Sequence, residues 1–307
     1  LLKRGLDSLI GLHREKHLAK IGIAVARRTG ETFPHTILYG PGGTGKTRLA
    51  REMAHELRYP LHEYEGATLR RREQVIDILV AASKSGKPFI IFIDEVHRLT
   101  ETLQESLYYP MKDGYITTVY GRVDLSPLCV MAATTRIDML DEASFLKRFP
   151  NQWYIKPYSL LSISRIIINY LKGEDLEFDL DVVRQIAERS LGIPRQAITL
   201  GTKVRDQAIF RGGESIIQAD VDEAFKLERI DSIGLNEMHV QYLKELNDAD
   251  HPKGKMALAG ILGCHPDTIA GFVEQTLLSL GFIDMGPRGR FITGCGKEHL
   301  KKNRISG

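Results

Sequence analysis

Cysteine is scarce: three residues (Cys129, Cys264 and Cys295) lie far apart among 307, and none forms a CxxC pair. That scarcity excludes a disulfide framework and a Cys-rich zinc site and points to a reducing, cytoplasmic setting. Long apolar runs are also missing. The longest, such as Phe89-Ile90-Ile91-Phe92-Ile93, fall far short of the roughly 18 residues a membrane span needs. Lys3, Arg4 and Asp7 interrupt the start and no apolar h-region follows, so no secretory signal is expected. The chain opens on Leu1 rather than Met, so a short preceding piece is expected. Neither sign of charge is in excess: 42 Lys and Arg against 39 Asp and Glu leave +3. Net charge alone therefore identifies no partner, and its distribution has to be read. There is no internal repeat and no low-complexity segment, and His97 and His265 lack partners at metal-ligand spacing. What is present is ordinary globular composition, 43% hydrophobic and 26% charged, with length for two or three domains at roughly 150 residues each.

The first half alternates short β-like runs with helical patterns. Thr36-Ile37-Leu38-Tyr39 runs into a glycine-rich stretch followed by a helical pattern over Lys46–Leu57. Pro88-Phe89-Ile90-Ile91-Phe92-Ile93 and Leu128-Cys129-Val130-Met131-Ala132-Ala133 are apolar on both faces. Such runs with helices between them predict a parallel sheet covered on both sides, an α/β domain over about residues 1–158. From about 160 to 230 the β signal disappears and a small all-helical domain is expected, its last helix capped by Asp220 with Glu223 three residues on. Residues 235–307 show helix patterns over about 235–247, 255–262 and 268–280, the third capped by Asp267 and stopped by Gly281. A hairpin with a Gly-Pro-Arg-Gly turn follows. Three helices and then a hairpin is the order of a winged helix.

Gly40-Pro41-Gly42-Gly43-Thr44-Gly45-Lys46-Thr47 matches GxxxxGK[ST], with a strand before it and a helix after. Glycines let successive N–H groups turn toward phosphates, and the helix N-terminus adds its positive dipole end. Lys46 is then placed for the β- and γ-phosphates and Thr47 for Mg²⁺. About fifty residues on, Asp94-Glu95 ends an apolar strand. At the C-terminal edge of a parallel sheet Asp94 serves as a Mg²⁺ ligand and Glu95 as the base for attacking water.

With those residues in place, the chain resembles an AAA+ ATPase, and within that class the RuvB family of Holliday-junction motors. The resemblance is carried by Leu6 to Gly11, the P-loop, Phe92 to Leu99, Ala133-Thr134-Thr135-Arg136, Gly192-Ile193-Pro194-Arg195 and Pro287-Arg288-Gly289-Arg290, in order along nearly the whole chain. It implies an α/β P-loop domain (1–158), a helical lid (159–232) and a DNA-binding winged helix (233–307). It also implies ATP and Mg²⁺, with Ile10 lying in the segment over the adenine and Gly43, Gly45, Lys46, Thr47, Arg48 and Tyr158 near the nucleotide. Thr135 takes the place of sensor 1, Arg195 of sensor 2, and Arg148 of an arginine finger reaching into a neighbouring subunit's site. A finger acting in trans implies a ring, and the family makes hexamers.

The wing carries its own argument. From Asp284 to Gly307 six Lys and Arg (288, 290, 297, 301, 302, 304) face two acids, a local +4 that exceeds the whole chain's charge. Arg288 and Arg290 on the turn are the expected phosphate contacts. The expected solvent face of the third helix (Asp267, Gly271, Glu274, Gln275, Ser279) has no Lys or Arg to read bases, which predicts backbone binding without sequence preference; the resemblance makes duplex or four-way junction DNA the expected target. Arg70-Arg71-Arg72 reads as a solvated face. The region lacks the aromatic-apolar-Gly pore loop of protein unfoldases. Several positions depart from the family: Tyr115 to Asp124 is shorter than the family's hairpin, which puts docking of a RuvA-type partner in question. Met285 replaces a wing arginine, Lys112-Asp113-Gly114 a more acidic segment, and Pro150 a glycine. The expected function is an ATP-driven ring that moves Holliday junctions. A clamp-loader or initiator-like switch and a non-motor scaffold assembled by ATP stand as alternatives.

Overall fold

The computed structural model describes residues 4–174 and 176–305. By its internal contacts the chain divides into two compact units, Leu1–Gly40 with Thr44–Lys156, and Pro41–Gly43 with Pro157–Gly307.

In the first unit, helix α1 (His13–Thr29) precedes β1 (Thr36–Tyr39), α2 (Lys46–Leu57) and β2 (Leu61–Glu65). Next come α3 (Arg72–Ser83), β3 (Phe89–Asp94) and α4 (Glu101–Asp113). The hairpin strands β4 (Tyr115–Thr118) and β5 (Gly121–Asp124) lead into β6 (Leu128–Thr134) and β7 (Asn151–Tyr154). Five strands form one all-parallel sheet in the order β2-β3-β6-β1-β7. Every residue of β6 is buried, as is Phe89 to Ile93 of β3, because both strands are covered on each face. The register fixes what meets at the C-terminal edge. Tyr39 pairs with Thr134 and Ile93 with Ala132, so the P-loop, Asp94-Glu95 and Thr134-Thr135 leave the sheet side by side.

The second unit holds α5 (Leu160–Leu171), α6 (Leu180–Arg189), α7 (Pro194–Phe210) and α8 (Gln218–Leu227). The all-helical expectation needs one amendment. Strands β8 (Glu177–Phe178) and β9 (Ser215–Ile216) pair in parallel, each too short to leave a periodic signal. Asp220 is not the cap of α8 but its third residue: its carboxylate accepts the Ile217 N–H at 2.9 Å and pairs with Arg211 at 2.9 Å.

The same unit continues with α9 (Glu237–Asn247), α10 (Lys255–Ile261) and a third helix in three parts. That helix starts as α11 (Pro266–Thr268), widens to a π-helical stretch over Ile269–Glu274 and ends as α12 (Gln275–Ser279). Its cap is His265, whose Nδ1 accepts the Asp267 N–H at 3.2 Å; Asp267 is itself helical. Strands β10 (Ile283–Gly286) and β11 (Gly289–Ile292) form the wing around Pro287-Arg288. Helix α13 (Gly294–Ile305) then follows, which the basic, glycine-containing tail concealed. Two apolar clusters lie within this unit, one spanning Ile163 to Phe225 and the other Leu235 to Leu300. No single helix among the described residues is long and apolar enough to cross a membrane.

Candidate active site

The P-loop turns where only glycine is at ease: Gly40, Gly43 and Gly45 have φ of 138°, 77° and 90°. A side chain at Gly40 would also run into the Ile155 carbonyl. Lys46, the first residue of α2, is buried, and its Nζ donates to Gly40 O at 2.8 Å. Beside it the Thr47 hydroxyl donates to Asp94 Oδ2 at 2.6 Å. Two hard oxygens held together at a helix N-terminus suit a magnesium ion bound with phosphates. The segment expected over the adenine is anchored on the P-loop helix: Gly5 N–H donates to Glu52 Oε2 at 2.7 Å and Leu6 N–H to Glu56 Oε1 at 2.9 Å. Ile10 on that segment is half-buried, and Arg48 is exposed on the first turn of α2.

Glu95 leaves β3 in the left-handed region, φ 48° and ψ 50°. A non-glycine residue held there costs on the order of 1–3 kcal/mol and marks a backbone forced into place. Its carboxylate is held through one oxygen. The Thr135 hydroxyl and N–H reach Oε2 at 3.0 and 3.3 Å, and His97 Nδ1 lies 3.1 Å from the same atom. Burial pushes this carboxyl up, but the hydrogen bonds from His97 and Thr135 outweigh it and hold it below the ordinary carboxylate value. Glu95 is therefore ionised at neutral pH, the form in which a carboxylate can accept a proton.

The structure thus groups Lys46, Thr47, Asp94, Glu95 and Thr135 at one sheet edge. Arg148 stands apart, in a cleft of about 490 Å³ lined by Glu101, Glu105, Tyr108, Asp141 and Phe145. Its guanidinium lies 4.9 Å over the Tyr108 ring, and its Nε is buried without a hydrogen-bond partner among the described residues. In the second unit the Arg195 N–H donates to Gly43 O at 3.3 Å, and the Tyr158 N–H donates to Gly192 O at 2.8 Å.

Three contributors escaped sequence reasoning. His97 has no partner at metal-ligand spacing and so carries no signal in the sequence. Tyr108 sits inside a helix with no local signal. Gly66 follows β2, and a Cβ there would lie 2.5 Å from the Glu95 carbonyl; a lone glycine at a strand end is the one available hint of such close approach.

The wing departs from expectation in one respect. Glu274, placed by helical periodicity on the solvent face, is only 3% exposed. Arg290 Nε donates to its Oε1 at 2.7 Å and Nη2 to its Oε2 at 3.2 Å, while the buried Tyr242 hydroxyl donates to Oε1 at 2.8 Å. The Arg290 backbone also exchanges both hydrogen bonds with Lys253, at 2.9 and 3.0 Å. Its side chain is committed to the domain interior, whereas Arg288 is exposed at the turn. Lys297, Lys301 and Lys302 of the basic tail lie on α13, and the side chain of Arg304 lies outside the described residues.

Comparison with known proteins decides the family. Residues 1–153 match the Holliday junction DNA helicase RuvB P-loop domain, and residues 232–301 the RuvB C-terminal winged helix domain. A Holliday junction branch migration complex subunit RuvB from Prochlorococcus marinus is 34% identical over 98% of this chain and 87% of its own length. The chain belongs to the RuvB family. A second relative of that description, from Thermotoga maritima, is 32% identical over 98% of this chain and 92% of its own. The solved structure of the Thermotoga maritima RuvB Holliday junction branch migration motor superposes with a TM-score of 0.88 at 31% identity, covering 98% of each chain. This family membership makes the protein an ATP hydrolase with a nucleotide-binding P-loop domain and a winged helix.

Proposed function

We propose that this chain hydrolyses ATP to drive branch migration of Holliday junctions, as a ring of like subunits on duplex DNA. The observation that carries the reading is the convergence of Thr135 on Glu95 beside the Thr47–Asp94 pair. A general base and a sensor of the nucleotide share one carboxylate oxygen, so hydrolysis is tied to the sensor strand.

In this reading the P-loop N–H groups and Lys46 cradle the phosphates, Ile10 and Tyr158 border the base, and Arg48 lies on the adjoining turn. Thr47 and Asp94 would hold magnesium, which when bound neutralises charge on the β- and γ-phosphate oxygens. Glu95 takes a proton from water as the water oxygen bonds to the γ-phosphorus. The bond to the β–γ bridging oxygen breaks, its electron pair leaves with ADP, and the proton passes from Glu95 to the released phosphate. Arg195 is the sensor-2 cation. Arg148, with an unpaired Nε, is the finger supplied to a neighbour's γ-phosphate, which makes a closed ring, a hexamer in our reading, the active form.

The three-domain division follows the same lines, 1–158, 159–232 and 233–307; the two separate apolar clusters of the second unit support the boundary at 232. Arg288 grips phosphate without reading sequence, and Arg290 braces the wing from within. The hairpin is short, but its tip residues Val119 and Tyr120 are 93% and 97% exposed, which supports docking of a junction-binding partner there. The winged helix at 232–301 favours a junction motor over a clamp-loader switch. Phosphate release from ATP with duplex DNA tests the assignment. Wild type should turn over, and Glu95→Gln should bind ATP and stay assembled without turnover; full turnover by Glu95→Gln would remove Glu95 as the base.

A further inference from the structure

His97 stands inside the hydrolytic cluster with no part in the mechanism above. It lies on the single turn Val96–Arg98 that follows Glu95, and its side chain is 11% exposed. One ring nitrogen, Nδ1, is 3.1 Å from Glu95 Oε2 and 2.9 Å from Thr134 Oγ1. In the tautomer that is protonated at Nδ1, this N–H is shared between Thr134 Oγ1 and Glu95 Oε2, because an ionised carboxylate only accepts. The Thr134 hydroxyl oxygen, which also accepts the Arg136 N–H at 2.9 Å, flanks the ring and sets its plane.

Oε2 therefore collects donors from two elements: His97 from the turn after β3, and the hydroxyl and N–H of Thr135 from the end of β6. Oε1 receives no hydrogen bond from the described residues. The terminal torsion of a glutamate is broad and nearly two-fold, so an unrestrained carboxylate would exchange its oxygens and swing off line. Donors from both strands remove that freedom.

We propose that His97 is a positioning residue for hydrolysis: together with Thr135 it pins Oε2 of Glu95 and so reserves Oε1 for the proton of the attacking water. The inference rests on Glu95 being the base. It assigns His97 a clamp and not a proton of its own, because the chemistry needs only an N–H at the δ position. Asparagine presents an N–H there, whereas leucine fills the space without one.

The test is steady-state ATPase of the full chain with duplex DNA, reading kcat and KM separately for His97→Ala, His97→Leu and His97→Asn. Ala and Leu should lower kcat about 10-fold to 100-fold, the usual scale for losing a supporting hydrogen bond behind a reacting group. KM should move little, and Asn should return kcat to within about threefold of wild type, the loss of less than one full hydrogen bond. Wild-type kcat in His97→Leu would overturn the clamp, and so would an Asn variant as slow as Ala. If Glu95→Gln abolishes turnover while His97→Leu keeps the wild-type kcat, the clamp alone fails. If Glu95→Gln itself turns over normally, the base assignment fails with it.

Discussion

Thr135 holds Glu95 by a single oxygen, its hydroxyl at 3.0 Å and its N–H at 3.3 Å from Oε2. Thr135→Val keeps the shape and the N–H but removes the hydroxyl donor. We expect kcat to fall about 10-fold, near the value of one charge-assisted hydrogen bond, with ATP affinity nearly unchanged. Gly66→Ala should reach the same defect from the other side, because its Cβ would press on the Glu95 carbonyl at 2.5 Å. ATPase kinetics paired with nucleotide-binding titrations check both.

Arg148 makes its contacts in a cleft lined by no residue of the P-loop, consistent with action on another subunit. Arg148→Ala should lower DNA-stimulated turnover by about 1,000-fold or more, the lower end of what an arginine finger supplies. Mixing Arg148→Ala subunits with Glu95→Gln subunits should restore a measurable fraction of activity, since some sites then combine an intact base with an intact finger. A mixture as inactive as either variant would place the arginine in cis.

The two wing arginines should separate cleanly. Arg288→Ala should weaken binding to all duplex sequences alike and reduce the salt slope by about one. Arg290→Met leaves the buried Glu274 carboxylate without its counter-charge, held only by the Tyr242 hydroxyl, and should destabilise the second unit by about 3–5 kcal/mol. Filter binding across salt concentrations and denaturant titrations distinguish a lost phosphate contact from a lost brace.

His239 gives the winged helix a pH dependence. The ring is 1% exposed, and burial pushes its pKa down to about 4 against the opposing pull of the Phe272 backbone and the Asp231 charge. Between the unfolded value near 6.5 and that folded value the unfolded chain binds the extra proton. Stability is therefore fully present above pH 6.5 and falls as the pH drops toward 4, by about 1.4 kcal/mol per unit and about 3 kcal/mol in all. Comparing denaturant midpoints of wild type and His239→Gln over that range should show the shallower dependence in the variant.

What the sequence disclosed depended on whether the information was contiguous. The P-loop is one unbroken string whose glycines, lysine and threonine each have a fixed local task, and α2 begins and ends where its pattern said, Lys46–Leu57. The sheet could be read from runs apolar on both faces, such as Leu128 to Ala133. The site's finer wiring could not. His97 and Thr135 meet on Glu95 only because β3 and β6 are neighbours in register, a fact of topology and not of spacing. Glu274 was misplaced for a different reason. The bonding pattern over Ile269–Glu274 widens each turn, so a face counted at 3.6 residues per turn drifts and carries Glu274 inward beside Val273. Helix caps shifted by three residues at Asp220 and by two at Asp267, because either end of a capping exchange can be acidic.

The most direct measurement of the central claim uses a synthetic four-way junction with homologous arms, incubated with the full chain, ATP, Mg²⁺ and a junction-binding partner subunit. The account predicts that wild-type protein converts the junction into two duplex products, and that Glu95→Gln binds ATP and junction yet leaves the junction intact. A junction that stays in place while wild-type protein hydrolyses ATP at full rate, or one resolved equally well by Glu95→Gln, would contradict it.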